Sequence, residues 1–253
     1  MSANLFDKLK VAPKPWQKVI GLLLWVVIGF FVAQALLMLV VLLLQLFGVP
    51  LQYVNETMLQ TVAAALIYVL TLVIVVGVPW WIRRSVTNKK ELGLSRLPSW
   101  LDIGLAPAGL VIYLILTAIF TSVALIVPGF DANQMQETGF ANLSHRYEYF
   151  LAFATLVVIA PLAEEILFRG YLYGKLRKYI PVWLAVLLTS LLFAAVHGQW
   201  NVAVDVFALS LVLCTLREIT GNIWASFLLH VLKNGIAYYL LFINPSLLNI
   251  IRG

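Results

Sequence analysis

The chain has 253 residues, of which 62% are hydrophobic and 11% are charged, and its mean hydropathy is +0.97. Soluble domains are roughly half apolar and about a quarter charged, so this composition excludes a soluble globular enzyme, and it is far too apolar for a disordered chain. Its single cysteine, Cys214, excludes a scaffold held together by intramolecular disulfides. The composition therefore predicts a polytopic membrane protein.

Apolar segments follow one another along the chain, and a helix needs about 20 apolar residues to cross a bilayer. The first segment is long enough to favour an uncleaved helix over a signal peptide. We expect an all-α fold, a transmembrane bundle of about seven to eight helices, with eight if the first segment is broken. The predicted helices are 19–47, 58–81, 100–127, a segment that begins near 149, 182–197, 202–216 and 223–243.

The basic residues predict the orientation of these helices. Of the 17 Lys and Arg residues, 14 fall on one side if the N-terminus is inside, including Lys8, Lys10, Lys14 and Lys18 before the first helix. The positive-inside rule then predicts a cytoplasmic N-terminus. Because membrane topology accounts for the net charge of +6, we expect the lipid bilayer as a partner and no nucleic acid.

Ionisable side chains at membrane depth are costly, so each is a candidate functional group. They are concentrated in the second half of the chain, and the first three predicted helices have almost none. We therefore expect residues 1–148 to form accessory transmembrane helices and residues 149–243 to form the catalytic core. The polar set consists of Glu164, Glu165, Arg169, His197, Asp205, His230, Lys233 and Asn234.

The fourth segment carries two adjacent glutamates that must point in different directions. Neighbouring helical residues are about 100° apart around the axis, whereas Glu165 and Arg169 are four apart and share a face, which predicts an ion pair. Glu164 then faces elsewhere, without a partner in its own helix. Pro161 removes a backbone hydrogen bond one turn earlier and predicts a kink. Alternatively, both glutamates lie at a cytoplasmic helix end beside a basic loop.

Two later segments also carry polar residues four apart, so that Phe193 lies on one face with His197 and His230 on one face with Asn234. Taken separately, His197 could be an interfacial residue, and the His–Asn pair could simply bridge two helices.

Depth in the membrane connects these residues with the glutamates. At about 1.5 Å per residue, Glu164 reaches the depth of the two histidines only if the fourth helix continues to about Lys178, which we expect. Asp205 and Lys233 lie at a similar depth on the last two helices, and we interpret them as a structural ion pair.

A carboxylate that converges with two imidazoles and an amide fits peptide hydrolysis. Glu164 would act as a general base on a water molecule held by His197, and His230 and Asn234 would donate hydrogen bonds to the oxyanion. Alternatively, Glu164, His197 and His230 would hold a divalent metal such as zinc. The sequence contains neither a His-Glu-x-x-His motif nor a Gly-x-Ser-x-Gly elbow.

Three motifs of this sequence together resemble those of a known family. They are Glu164-Glu165-Ile-Leu-Phe-Arg169, Phe193-Ala-Ala-Val-His197 and His230-Val-Leu-Lys-Asn234, in that order on separate helices. The family is the CAAX prenyl endopeptidase and bacteriocin-processing group of intramembrane proteases, often called CPBP or Abi proteins. The resemblance covers about residues 149–239.

This resemblance implies an all-helical bundle whose cavity opens to the cytoplasm, in a bacterial cytoplasmic membrane. It implies catalytic roles for Glu164, His197, His230 and Asn234, and supporting roles for Glu165, Arg169 and Phe193. The implied substrate is a membrane-associated peptide or protein, either prenylated at a CAAX-type C-terminus or bacteriocin-like. The family is often labelled metalloprotease, but a metal-free glutamate mechanism is also argued for it.

Two other functions compete with an intramembrane endopeptidase. A bacteriocin self-immunity protein would bind its target without cleaving it, although the intact set of catalytic-type residues speaks against this. A transporter would use the buried polar residues as an ion path. The halves of the chain show no internal repeat, and the polar groups cluster in one layer, both of which speak against transport.

Overall fold

A computed structural model describes residues 14–83, 87–132, 134, 140 and 143–247. All regular secondary structure within these residues is helical, which confirms the predicted all-α fold. The long helices of the described chain are α1 Pro15–Leu46, α2 Glu56–Ile82, α3 Trp100–Ala124, α4 Arg146–Leu176, α5 Val182–Ala195, α6 Trp200–Thr220 and α7 Trp224–Ile243.

Five of these helices, α1 to α4 and α7, are long and apolar enough to cross a membrane, judged by length and composition. Helix α5 is apolar but has 14 residues, and α6 has 21 residues but carries three charged side chains. The chain is thus an integral membrane protein, while the seven to eight crossings and the cytoplasmic N-terminus stay predictions. Lys8 and Lys10, which support that orientation, lie outside the described residues.

Helix α6 forms the centre of the second half and packs against α3, α5 and α7. Its Leu209, Leu213 and Cys214 are fully buried, as expected of a helix surrounded by others. Both α1 and α2 pack against α4 from outside this core.

Helices α1 and α2 approach each other closely where a glycine meets a valine. A Cβ on Gly29 would overlap a methyl carbon of Val75, so only glycine fits there without a shift. The indole of Trp25 donates a 3.0 Å hydrogen bond to the Val75 carbonyl, inside the π-helical turn Val73–Gly77 of α2. This contact joins the two helices into one wall beside α4.

Helix α4 continues past Arg169 to Leu176, as predicted, and combines α-helical turns with two π-helical stretches, Ala154–Ile159 and Glu165–Tyr173. Two glycines near its end let the backbone of the loop between α2 and α3 approach. A Cβ on Gly170 would lie 2.8 Å from the Leu92 carbonyl oxygen, and one on Gly174 would lie 2.9 Å from that of Glu91. The loop is therefore seated directly on α4.

Hydrogen bonds fix the same loop to the ends of α6 and α7. Arg217 donates from Nη2 to the Glu91 carbonyl at 3.2 Å, and the Trp224 indole donates to the Arg96 carbonyl at 2.5 Å. The Ile223 amide donates to the Gly93 carbonyl at 3.0 Å. The first half of the chain is thus tied to the second at the end of the bundle that is predicted to be cytoplasmic.

Candidate active site

The site begins at a turn of α4 that has lost a backbone hydrogen bond. In the π-helical turn Ala154–Ile159 each carbonyl accepts from the fifth following amide, and the Ala160 amide accordingly donates to the Thr155 carbonyl. The next partner in that pattern is Pro161, which has no N–H, so the Leu156 carbonyl is left without one. Asn234 of α7 replaces it, since its Nδ2 donates to the Leu156 oxygen at 2.9 Å.

Glu165 and Arg169 form the buried ion pair predicted from their spacing. The Arg169 Nη1 atom lies 3.1 Å from the Glu165 Oε1 atom, and both side chains are fully buried. Arg169 also donates from Nη2 to the Ser210 hydroxyl at 2.7 Å and stacks over the Phe193 ring at 4.3 Å. A buried charge needs such paired contacts, so this cluster holds α4, α5 and α6 in register.

Glu164 points away from that pair, as the sequence predicted. Its Oε1 accepts a 2.8 Å hydrogen bond from the Tyr68 hydroxyl, and its Oε2 lies 3.7 Å from the His230 Nε2 atom. The side chain of Glu164 is 15% exposed, whereas that of Glu165 is 0% exposed. Of the two adjacent carboxylates, Glu164 is therefore the one that a small molecule can reach.

His197 lies in the turn after α5, with Gly198 in a left-handed conformation directly behind it. Its Nδ1 is 2.7 Å from the Phe193 carbonyl oxygen, and because a carbonyl only accepts, the proton must be on Nδ1. The Nε2 atom of the neutral ring therefore carries a lone pair. That atom is available to accept a hydrogen bond from water.

The His230 ring is oriented by Glu165 in the same manner. Its Nδ1 lies 3.0 Å from the Glu165 Oε1 atom, which makes Nδ1 the donor to that carboxylate. The ring is almost fully buried, and its Nε2 atom faces Glu164. The glutamate that pairs with Arg169 thus also fixes the imidazole beside the other glutamate.

Glu164 and His197 line one cavity of about 140 Å³ between α1, α2, α4 and α5. Its described lining also includes Tyr68, Thr71 and Phe193, with apolar side chains of α1 and α4 around them. Neither His230 nor Asn234 lines the described part of this cavity. The Nε2 atom of His230 nevertheless lies 3.7 Å from the Glu164 Oε2 atom. The cavity has room for a few water molecules beside a carboxylate and an imidazole lone pair.

The three side chains of the alternative metal site do not converge in this arrangement. Within the described part of the chain, no three His, Cys, Asp or Glu side chains are grouped closely enough to hold a metal ion. Glu164 and His230 approach each other, with 3.7 Å between Oε2 and Nε2, but no third such donor of the described residues is grouped with them. The residues Glu164, His197 and His230 therefore do not fit a metal site as they stand, and the chemistry proposed below uses side chains alone.

Sequence reasoning missed Tyr68, because it lies in the half of the chain that was interpreted as accessory. A tyrosine in an apolar helix is usual near a membrane interface, and only its position in the middle of α2 could have indicated a functional role.

The ion pair predicted between Asp205 and Lys233 is confirmed, with 3.0 Å between Oδ2 and Nζ.

Known proteins resemble parts of this chain. Residues 146–236 match the family model described as Type II CAAX prenyl endopeptidase Rce1-like. An uncharacterized 24.3 kDa protein of Escherichia coli is 36% identical over 85 residues, which is 32% of this chain and 39% of that protein. The UPF0177 protein YxdF of Lactococcus lactis subsp. lactis is 25% identical over 132 residues, 52% of this chain and 69% of that protein.

The chain thus spans well under half the length of the Escherichia coli relative, and no solved structure matches it. All three sequence motifs, from Glu164 to Asn234, lie inside the segment that the family model matches. The family model thus confirms the resemblance noted from these motifs, over residues 146–236 of this chain.

Proposed function

We propose that this protein is an intramembrane endopeptidase that hydrolyses a peptide bond in a membrane-associated substrate with a water activated by Glu164. The observation that carries the proposal is the cavity in which a reachable carboxylate, Glu164, meets the lone pair of an oriented imidazole, His197. A partly buried carboxylate beside water suits general-base chemistry.

The reaction would proceed through a tetrahedral intermediate. Glu164 takes one proton of the water while the His197 Nε2 atom accepts a hydrogen bond from the other, which aims the oxygen lone pair at the substrate carbonyl. The new C–O bond forms as the carbonyl becomes an oxyanion. When the intermediate collapses, Glu164 returns its proton to the leaving nitrogen and the C–N bond breaks.

His230 and Asn234 are the proposed donors to the oxyanion. An asparagine amide has two N–H donors, and the bond to Leu156 uses one of them. His230 keeps its Nδ1 donor on Glu165, so only its protonated form would donate from Nε2 as well. In this scheme Glu165, Arg169 and Phe193 support the site by fixing the two imidazoles.

We further propose that the substrate is prenylated near a CAAX-type C-terminus, because the matching family model carries that description. A bacteriocin-like peptide is the alternative substrate. The relatives from Escherichia coli and Lactococcus lactis favour a bacterial cytoplasmic membrane, and the basic residues favour a cavity that opens to the cytoplasm.

The test is cleavage of a panel of prenylated and unprenylated peptides by the purified full-length protein. We expect Glu164→Gln to reduce cleavage by about a hundredfold or more, as loss of a general base does. Glu56→Gln is the matched control, since Glu56 is exposed in the first turn of α2 and far along that helix from Tyr68. Cleavage should also survive chelation of divalent metals.

Equal cleavage by the wild type and Glu164→Gln would contradict the proposal. Loss of cleavage on chelation, restored by added zinc, would overturn the metal-free scheme but keep the peptidase. If the wild-type protein bound the peptides without cleaving any, a binding or immunity role would replace catalysis.

A further inference from the structure

A second, larger cavity lies between α3, α6 and α7 and shares no lining residue with the cavity that contains Glu164. Its volume is about 590 Å³, which is within the range of small-molecule sites. Most of its wall is apolar and includes Leu110, Leu114, Ile236 and Leu240. Such a space suits a hydrocarbon chain rather than a hydrated solute.

A charged pair forms the polar part of this cavity. Lys233 and Asp205 both line it, with 3.0 Å between Nζ and Oδ2, and their side chains are 14% and 26% exposed. Lys233 lies nine residues into the 20-residue helix α7, about 14 Å from its start. Charges at such depth are expensive unless they serve a site, and this pair contributes to none of the chemistry proposed for Glu164.

Asp205 and Lys233 differ in how many of their possible hydrogen bonds are made within the protein. Asp205 accepts from the Tyr113 hydroxyl at 2.5 Å and from Thr117 at 3.4 Å, in addition to its contact with Lys233. An ammonium has three N–H donors, and the pair with Asp205 engages one of them. The ion pair with Asp205 therefore leaves N–H donors of Lys233 for a ligand in the cavity.

We propose that this cavity binds an amphipathic anion, a hydrocarbon chain that ends in a carboxylate or a phosphate. The head group accepts hydrogen bonds from Lys233, and the chain lies along the apolar wall of α3 and α7. Asp205 keeps Lys233 in place and charged. A cationic head group is disfavoured because the oxygens of Asp205 already have three donors.

The experiment measures saturable binding to the purified full-length protein in phosphatidylcholine nanodiscs by native mass spectrometry. The probes are a fatty acid, a lysophosphatidic acid, a lysophosphatidylcholine and an alkyltrimethylammonium ion of equal chain length, with inorganic phosphate as a probe without a chain. We expect one or both amphipathic anions to bind, which identifies the head group, and the other three probes to bind at least about tenfold more weakly.

Three variants test the assigned residues. Lys233→Gln should weaken anion binding by about tenfold or more, whereas Lys18→Gln, the same change at an exposed lysine of α1, should leave it unchanged. Lys233→Arg keeps the charge and should retain binding. Ala237→Phe fills the cavity without changing charge and should abolish binding, so a folded variant is available even if Lys233→Gln leaves Asp205 unpaired.

Several results would overturn the proposal. They are binding of none of the amphipathic anions, equal binding of the trimethylammonium probe, equal binding by Lys233→Gln, and undiminished binding by a folded Ala237→Phe variant. Because the readout is binding and not cleavage, the outcome is independent of the peptidase proposed above.

Discussion

Tyr68 is the side chain that most changes the interpretation of the site. It lies on α2, outside the segment that matches the family model, and donates a hydrogen bond to Glu164 inside the cavity. Because this bond engages the Oε1 atom of Glu164, the Oε2 atom is the one left to accept a proton from water. The other oxygen of Glu164 faces His230, so this carboxylate is held from two sides.

We expect Tyr68→Phe to lower kcat by about tenfold with little change in KM, because the lost bond to a charged acceptor positions the base and does not bind substrate. Tyr53→Phe, at a largely exposed tyrosine before α2, is the control and should be without effect. Steady-state cleavage of the peptide substrate measures both. A change in KM alone would assign Tyr68 to substrate binding instead.

Residue spacing was enough to predict the Glu165–Arg169 pair, since partners four apart on a helix meet wherever that helix lies. It was also enough to separate Glu164 from Glu165. Spacing did not predict that Glu165 also holds His230, because that contact joins residues 65 apart in the chain.

At the scale of the helix, α4 depends on α7 to complete its hydrogen bonds. Pro161 leaves the Leu156 carbonyl without an amide, and Asn234 supplies the missing donor from a neighbouring helix. Proline is tolerated in membrane helices when a nearby side chain satisfies the freed carbonyl in this way. The hydrogen bond between Asn234 and the Leu156 carbonyl therefore fixes how far α7 is shifted along α4, and with it the position of His230.

We expect Asn234→Leu to destabilise the protein by about 1–3 kcal/mol, because it leaves the buried Leu156 carbonyl without a donor. In a Pro161→Ala background the same change should cost less, since alanine restores a backbone amide next to that carbonyl. The free energy of unfolding in a denaturing-detergent titration gives both values as a double-mutant cycle. An equal cost of Asn234→Leu in the two backgrounds would show that Pro161 is unrelated to this bond.

At the scale of the whole molecule, the loop between α2 and α3 connects the two halves of the chain. Its backbone lies on Gly170 and Gly174 of α4, and Arg217 and Trp224 bind its carbonyls. The side chain of Glu91 pairs with Lys178 at 2.5 Å, and this bond lowers the pKa of Glu91. The helices predicted as accessory are thus attached to the core both at this loop and at Tyr68.

We expect Gly170→Ala to displace this loop, because the new Cβ would lie 2.8 Å from the Leu92 carbonyl oxygen. The strain should destabilise the protein by about 1–3 kcal/mol and speed proteolysis within residues 88–97. Gly104→Ala is the control, since a Cβ there meets no atom within 4 Å and alanine favours a helix. Proteolysis of both variants at the same rate as the wild type would mean that the loop is not held by this contact.

Composition and hydropathy determined by themselves that this is a helical membrane protein, because only helices satisfy the backbone of such apolar segments in lipid. Motif spacing likewise indicated Glu164, His197, His230 and Asn234 as the polar centre. The tertiary structure alone decided which of them meet in one cavity, that Tyr68 joins them, and that the three residues of the alternative metal site do not converge. Those outcomes depend on how separate helices are rotated and shifted against one another, which local periodicity does not encode.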